Sequence, residues 1–216
     1  MSILFRFLYY GIFIRLVVLF FLGLNVRQRQ RLPMQGPAIL VSNHNSHLDT
    51  MVLMTLITRH GIPLPKPVAA ADYFLRNPLM RWFSTKVVGI LPIKRKKDHA
   101  KEDLLQPVYE ALEQSEILIF FPEGSRGEPE KLAELKGGIA KLAEKYPQVP
   151  IVPIWMYGLG KSLPRGEALL VPFFCDVFVG ESLFWQGERK VLIEQIRHSL
   201  STLEQQAGRL HDEDLW

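Results

Sequence analysis

Ile117-Leu118-Ile119-Phe120-Phe121-Pro122-Glu123-Gly124 is the stretch on which the fold turns. An unbroken apolar run that stops at a Pro-Glu-Gly turn signal has the pattern of a buried strand. Ala38-Ile39-Leu40-Val41 repeats that pattern upstream. Val68–Ala71, Val87–Ile93, Val149–Trp155 and one or two strands within Ala168–Val179 continue the series. The two prolines of Val149–Trp155 predict an irregular strand or one at a sheet edge. Helical patterns fall between these runs. One runs from about His47 to Arg59, and Asn77-Pro78 opens a second with proline in its first turn. Asp98 caps a third that reaches about Gln114, Gly137–Tyr146 forms a fourth, and Glu188–Gln206 is amphipathic. Residues 60–67, punctuated by proline, read as loop, and the acidic tail from Gly208 to Trp216 is expected to fray. Strands alternating with helices predict an α/β fold with a mixed, largely buried sheet flanked by helices.

Composition agrees with a packed domain. The chain has 216 residues, of which 48% are apolar, enough for one domain with a large core. A net charge of +4 favours anionic partners. The single cysteine, Cys175, excludes an intrachain disulfide and a multi-cysteine metal site. No basic patch interleaved with aromatics is present, so nucleic acid is not an expected partner.

Residues 1–25, MSILFRFLYYGIFIRLVVLFFLGLN, are almost wholly apolar, interrupted by Arg6 and Arg15. A spanning helix needs about 20 apolar residues, and a central Arg costs roughly 2.5–3.5 kcal/mol on insertion scales. The density of Phe, Leu, Ile and Tyr exceeds what one packed helix stripe requires. The segment is therefore expected to associate with a membrane, with Arg27, Arg29 and Arg31 holding the downstream chain on the cytoplasmic side. A buried N-terminal helix is the competing reading.

The chemistry-bearing residues sit just past the strands. Ser42-Asn43-His44-Asn45-Ser46-His47-Leu48-Asp49 joins a strand to a helix. Within one helix, His44 and Asp49 would point about 140° apart. They meet only if His44 lies in the loop and Asp49 in the first helical turn. A capping box of Ser46 and Asp49 supplies that arrangement. A carboxylate on one imidazole nitrogen fixes the tautomer and leaves the other as a base. Taken alone, a His-x4-Asp pair is a weak signal and favours a structural loop histidine beside a helix-start charge. Ser46 lacks a nucleophile-elbow context, and His44 with His47 lacks a third ligand, so neither a serine hydrolase nor a metal site is expected. Arg126, after Gly124 and Ser125, offers a planar fork suited to phosphate. Lys94-Arg95-Lys96-Lys97 ends another strand with positive charge; such runs are usually solvated.

In order, the chain contains Asn43-His44-x-Ser46-x-x-Asp49, then Gly89 and Arg95 separated by five residues, then Phe121-Pro122-Glu123-Gly124-Ser125-Arg126, then Val149-Pro150-Ile151-Val152-Pro153. These four blocks resemble those of the glycerolipid acyltransferase family, including the bacterial 1-acylglycerol-3-phosphate acyltransferases and other lysophospholipid acyltransferases. The likeness covers residues 38–155, and Leu135-Lys136-Gly137-Gly138 also has a family look. Ser125 stands where threonine is more usual. The resemblance implies His44 as general base and Asp49 as its orienting carboxylate. It implies Asn43, Arg95, Glu123, Gly124, Ser125 and Arg126 as acceptor-binding residues, with no metal and no resident cofactor. It further implies a lysolipid acceptor, an acyl-CoA or acyl carrier protein donor, and a site on the cytoplasmic face of the cell membrane. On this reading residues 1–31 are the anchor with its Arg cluster, and residues 32–216 are the acyltransferase domain. The leading reaction is acylation of the sn-2 hydroxyl of 1-acyl-sn-glycerol 3-phosphate to give phosphatidic acid. The alternatives are another lysolipid acceptor or a nonenzymatic membrane-binding protein.

Overall fold

The computed structural model describes residues 9, 12, 14, 16, 22–46, 48–57, 65–74, 77–95, 103–125, 127–128, 131–159 and 173–213. Its strands are β1 (Leu22–Arg27), β2 (Ala38–Ser42), β3 (Lys66–Ala70), β4 (Leu91–Ile93), β5 (Ile117–Phe120), β6 (Ile151–Tyr157) and β7 (Phe173–Val179). Its helices are α1 (Leu48–Ile57), α2 (Ala71–Phe74), α3 (Pro78–Trp82), α4 (Gln106–Glu113), α5 (Gly138–Lys145) and α6 (Arg189–Glu213). Among the described residues the strands form one seven-stranded sheet in the order β1-β7-β6-β2-β5-β3-β4.

Direction within the sheet positions everything else. β6, β2, β5, β3 and β4 are mutually parallel, whereas β7 runs antiparallel to β6 and β1 runs parallel to β7. The carboxyl ends of five strands therefore share one edge with the starts of β1 and β7. In such sheets ligands collect at that edge.

The sheet is apolar on both faces, as parallel strands require. Alternate residues of one strand go to opposite layers. Ala38, Leu40, Ile117, Ile119, Val152, Ile154 and Met156 pack with α1 on one face. Ile39, Val41, Leu118, Phe120, Ile151 and Trp155 pack with α4, α5 and α6 on the other. α6 contributes Leu192, Ile196, Leu200, Leu203 and Ala207, a stripe at helical spacing. Each such large side chain contributes roughly 1.5–3 kcal/mol through burial. Cys175 lies in the first of these layers, and burial pushes its thiol pKa up, as expected of a core residue rather than a nucleophile.

Several expectations are corrected. β6 is central, between β2 and β7, not at an edge. Its one proline, Pro153, accepts the Gly180 amide just past β7, and Pro150, immediately before the strand, accepts the Ile39 amide. Val87 and Val88 are not strand residues. They close a π-helical continuation of α3, Phe83–Val88, which ends at Gly89 with φ 81°. Val87 is buried there, so packing overrides its β preference. α4 starts at Gln106, where the Asp103 carboxylate takes the Leu105 amide. The Asp98 cap lies outside the described residues, as do 60–64 and 160–172.

The sheet also takes in Leu22–Arg27, which composition assigns to the anchor. This strand pairs in register with Phe173–Phe178. Asn25 donates to Asp176, and Arg27 forms an ion pair with it. Arg31 binds the Val179 carbonyl and Glu181, and Arg29 reaches the Leu56 carbonyl. The arginines expected to flank a membrane segment thus tie an edge strand to its neighbours. No helix among the described residues is long and apolar enough to cross a membrane. Of the residues before β1, Ile14 is buried in the α1 layer and Tyr9 meets Phe83 edge-on.

Candidate active site

β2 delivers His44 to the strand edge, and three sets of bonds hold it there. First, the Asn43 carboxamide bridges to β6, donating to the Met156 carbonyl and accepting from the Met156 amide. The side chain continues the β2–β6 ladder where the backbone turns away. Second, the loop folds onto α1. Asp49 Oδ2 accepts from the amides of Asn45 and Ser46 at 2.6 and 2.8 Å. Ser46 Oγ accepts from the Leu48 amide at 3.3 Å. This is the expected capping box with its hydroxyl bond shifted by one residue. Third, the loop after β5 is laced to it. The His44 amide donates to Glu123 Oε1 at 2.9 Å, and the Gly127 amide donates to the His44 carbonyl.

Held in this way, His44 Nδ1 lies 2.9 Å from Asp49 Oδ2. The carboxylate is 1% exposed and the imidazole 20%. Phe121 stacks on the ring at 4.1 Å. The imidazole is thus fixed in orientation by a buried carboxylate below and an aromatic plane beside it, while one edge faces solvent. A proton on Nδ1, shared with Asp49, leaves the Nε2 lone pair as base. Geometry of this kind suits general base catalysis on a hydroxyl.

Glu123 is buried, and its second oxygen accepts from the Ala133 amide. Burial raises its pKa above the usual carboxylate value, opposed by the backbone bonds from His44 and Ala133. Gly124 and Ser125 come next, both exposed. Gly124 has φ 73°, and a Cβ there would come within 2.6 Å of Lys136 Nζ. The left-handed backbone is what favours glycine here, and the Lys136 side chain lies close against it. Lys136, to which the sequence patterns assign no role, therefore brings a cation against the exposed turn. Its amide also bonds the Pro122 carbonyl. The one sequence signal was its place before Gly137-Gly138. Arg126 lies outside the described residues, as does His47.

Arg95 sits just past β4, three strands from β2 along the same edge. At a strand spacing of about 4.8 Å that is roughly 14 Å. It pairs with Asp72 of α2 at 3.3 Å, both side chains well exposed. The expected residues thus separate into two groups. His44, Asp49, Glu123, Gly124 and Ser125 are brought together, and Arg95 stands at the rim. The Asn43 carboxamide, expected at the acceptor, is buried and bonded to the Met156 backbone of β6.

A family model described as Acyltransferase matches residues 23–157. The chloroplastic 1-acyl-sn-glycerol-3-phosphate acyltransferase of Arabidopsis thaliana is 32% identical over 148 residues, 68% of this chain and 39% of that protein. The alpha form of 1-acyl-sn-glycerol-3-phosphate acyltransferase from Homo sapiens is 26% identical over 86% of this chain and 65% of its own length. The chain thus spans between about a third and two thirds of the curated relatives it matches. Among solved structures, the 1-acyl-sn-glycerophosphate acyltransferase of Thermotoga maritima superposes with a TM-score of 0.72 at 17% identity. That match covers 92% of this chain and 78% of that one, and the likeness is one of fold.

Proposed function

The chain belongs to the acyltransferase family, and from that membership we propose that it is a 1-acyl-sn-glycerol-3-phosphate acyltransferase working at a membrane surface. The observation that carries this reading is the His44–Asp49 pair, held at 2.9 Å beside the exposed Gly124-Ser125 turn. The names of the relatives support the acceptor.

In the reaction, His44 Nε2 removes the proton from the acceptor's sn-2 hydroxyl as its oxygen attacks the thioester carbonyl. The tetrahedral intermediate collapses with cleavage of the C–S bond. The imidazolium returns its proton to the departing thiolate, and Asp49 stabilises the cation in between. Atoms and charge balance without a covalent enzyme intermediate, so no nucleophilic side chain is needed. Positioning the hydroxyl against the thioester supplies much of the rate. Gly124, Ser125, Lys136 and Arg126 receive the acceptor's phosphate, and Arg95 meets phosphate arriving from the rim. The donor is an acyl-CoA or acyl carrier protein thioester from the cytosol. The acceptor comes from the cytoplasmic leaflet, and no resident cofactor enters the steps as written.

An acceptor panel tests the reading. Purified protein in detergent is given one acyl thioester and either lysophosphatidate or lysophospholipids with larger head groups. Phosphatidate formation faster than any other product is expected. Turnover of another lysolipid with none of lysophosphatidate would overturn the acceptor.

A further inference from the structure

The crossover between β3 and β4 is built inside out. Its helical stretch, α3 and the continuation to Val88, buries Ser84 (1% exposed) and Val87 while leaving Leu79 75% exposed and Met80, Trp82 and Phe83 partly exposed, at 36–44%. An amphipathic helix in water does the reverse. Residues 77–88 carry Arg81 and Lys86, both exposed, and no acidic residue. Asn77 Oδ1 takes the Met80 amide, so the turn bearing the apolar side chains is capped and ordered. The patch continues onto the N-terminal segment: Phe83 meets the Tyr9 ring, and nearby in the chain Ile12 and Leu16 are each 48% exposed. β3 and β4 are parallel, so the crossover leaves from the edge that carries His44 before it turns back.

We propose that residues 79–83, which include Arg81 and are followed by Lys86, form an interfacial contact for an anionic phospholipid surface, additional to and continuous with the N-terminal segment and set beside the catalytic edge. This rests on the membrane-surface reading above, and it adds a defined second contact to it. Aliphatic side chains enter the acyl boundary, Trp82 takes the head-group level where indoles concentrate, and the two cations meet lipid phosphates. Two contacts on one edge fix the molecule's orientation as well as its distance from the bilayer. The His44 edge then faces the leaflet that holds the acceptor.

The test uses the full chain with phosphatidylcholine vesicles, with and without phosphatidylglycerol, some carrying brominated acyl chains. Tryptophan emission should be quenched by brominated lipid, more strongly with phosphatidylglycerol present, and Trp82→Phe should abolish that quenching. Leu79→Ser with Trp82→Ser should lower vesicle partitioning at least roughly tenfold. Turnover of detergent-dispersed acceptor should stay within about twofold of wild type. That detergent assay separates the outcomes: no turnover by wild type counts against the enzymatic reading, not the patch. Equal quenching in Trp82→Phe, or unchanged partitioning of the double variant, would overturn the proposal. So would a lipid-free dimer lost on Leu79→Ser, or protection of Trp82 by an acidic carrier protein in place of vesicles.

Discussion

His44 and Arg95 leave the sheet by the same edge, each just past the carboxyl end of a parallel strand, yet their surroundings differ. His44 has its backbone bonded on both sides, its ring stacked on Phe121, and its Nδ1 against a carboxylate that is 1% exposed. Among the described residues Arg95 pairs with Asp72, both partners about 60% exposed. The first arrangement holds one geometry at a buried, low-dielectric spot, where a misplacement of about 1 Å costs orders of magnitude in rate. The second is screened by water and costs little to rearrange. A proton-transferring group needs the first; a group that greets a mobile head group works with the second. On the proposed mechanism, chemistry and binding are divided along one edge by burial.

That division is broken most severely at Asp49. Asp49→Asn removes the charge that stabilises the imidazolium and presents an amide to His44 or to the Asn45 and Ser46 amides. The rate of acyl transfer should fall about a thousandfold or more, with KM little changed, in steady-state assays. A loss under tenfold would mean that the pair is structural.

Glu123 sharpens the comparison, because it belongs to the buried group without touching the ring. Glu123→Gln leaves one of the His44 and Ala133 amides facing an NH2 group. The rate constant kcat should drop roughly tenfold to a hundredfold, as loss of a buried charged acceptor implies. Its pKa is raised by burial, so the folded state holds that proton to higher pH than the unfolded chain does. Stability therefore declines as pH rises from the ordinary glutamate value through the raised one. The melting temperature of wild type should fall across that window, and Glu123→Gln should flatten the slope.

Arg95→Ala should act on the other side, raising KM for the acceptor several-fold with kcat nearly intact. Asp72→Asn is the smallest change: thermal melts should shift by less than about 1 kcal/mol of stability, as for exposed pairs generally. A kcat effect at Arg95 equal to that at Glu123 would erase the distinction.

Much of the core and of the site was legible in the sequence, for a local reason. Ala38–Val41 and Ile117–Phe121 are uniform apolar runs ended by turn chemistry, and both are central strands. The meeting of His44 with Asp49 arises from a cap at Ser46, which is written in neighbouring residues. The features that escaped depend on partners distant in the chain. Leu22–Arg27 is a strand because Phe173–Phe178 lies beside it, and an apolar run cannot declare such a partner. β6 has room for the Pro153 ring because Gly180 beside it has no side chain: a Cβ there would lie 2.8 Å from the ring. The bridge from Asn43 to β6 is hidden too, because the Met156 backbone that it bonds is 113 residues away. Lys136 joins the site through the left-handed turn at Gly124, a contact that spacing alone does not reveal.

His44→Ala gives the most direct measurement of the central claim that this imidazole is the base. Initial rates are compared with wild type on whichever lysolipid the wild type acylates fastest, after melts show that the fold is kept. The rate is expected to fall at least about a thousandfold, with acceptor binding preserved. A folded variant that turns over within tenfold of wild type would contradict the account.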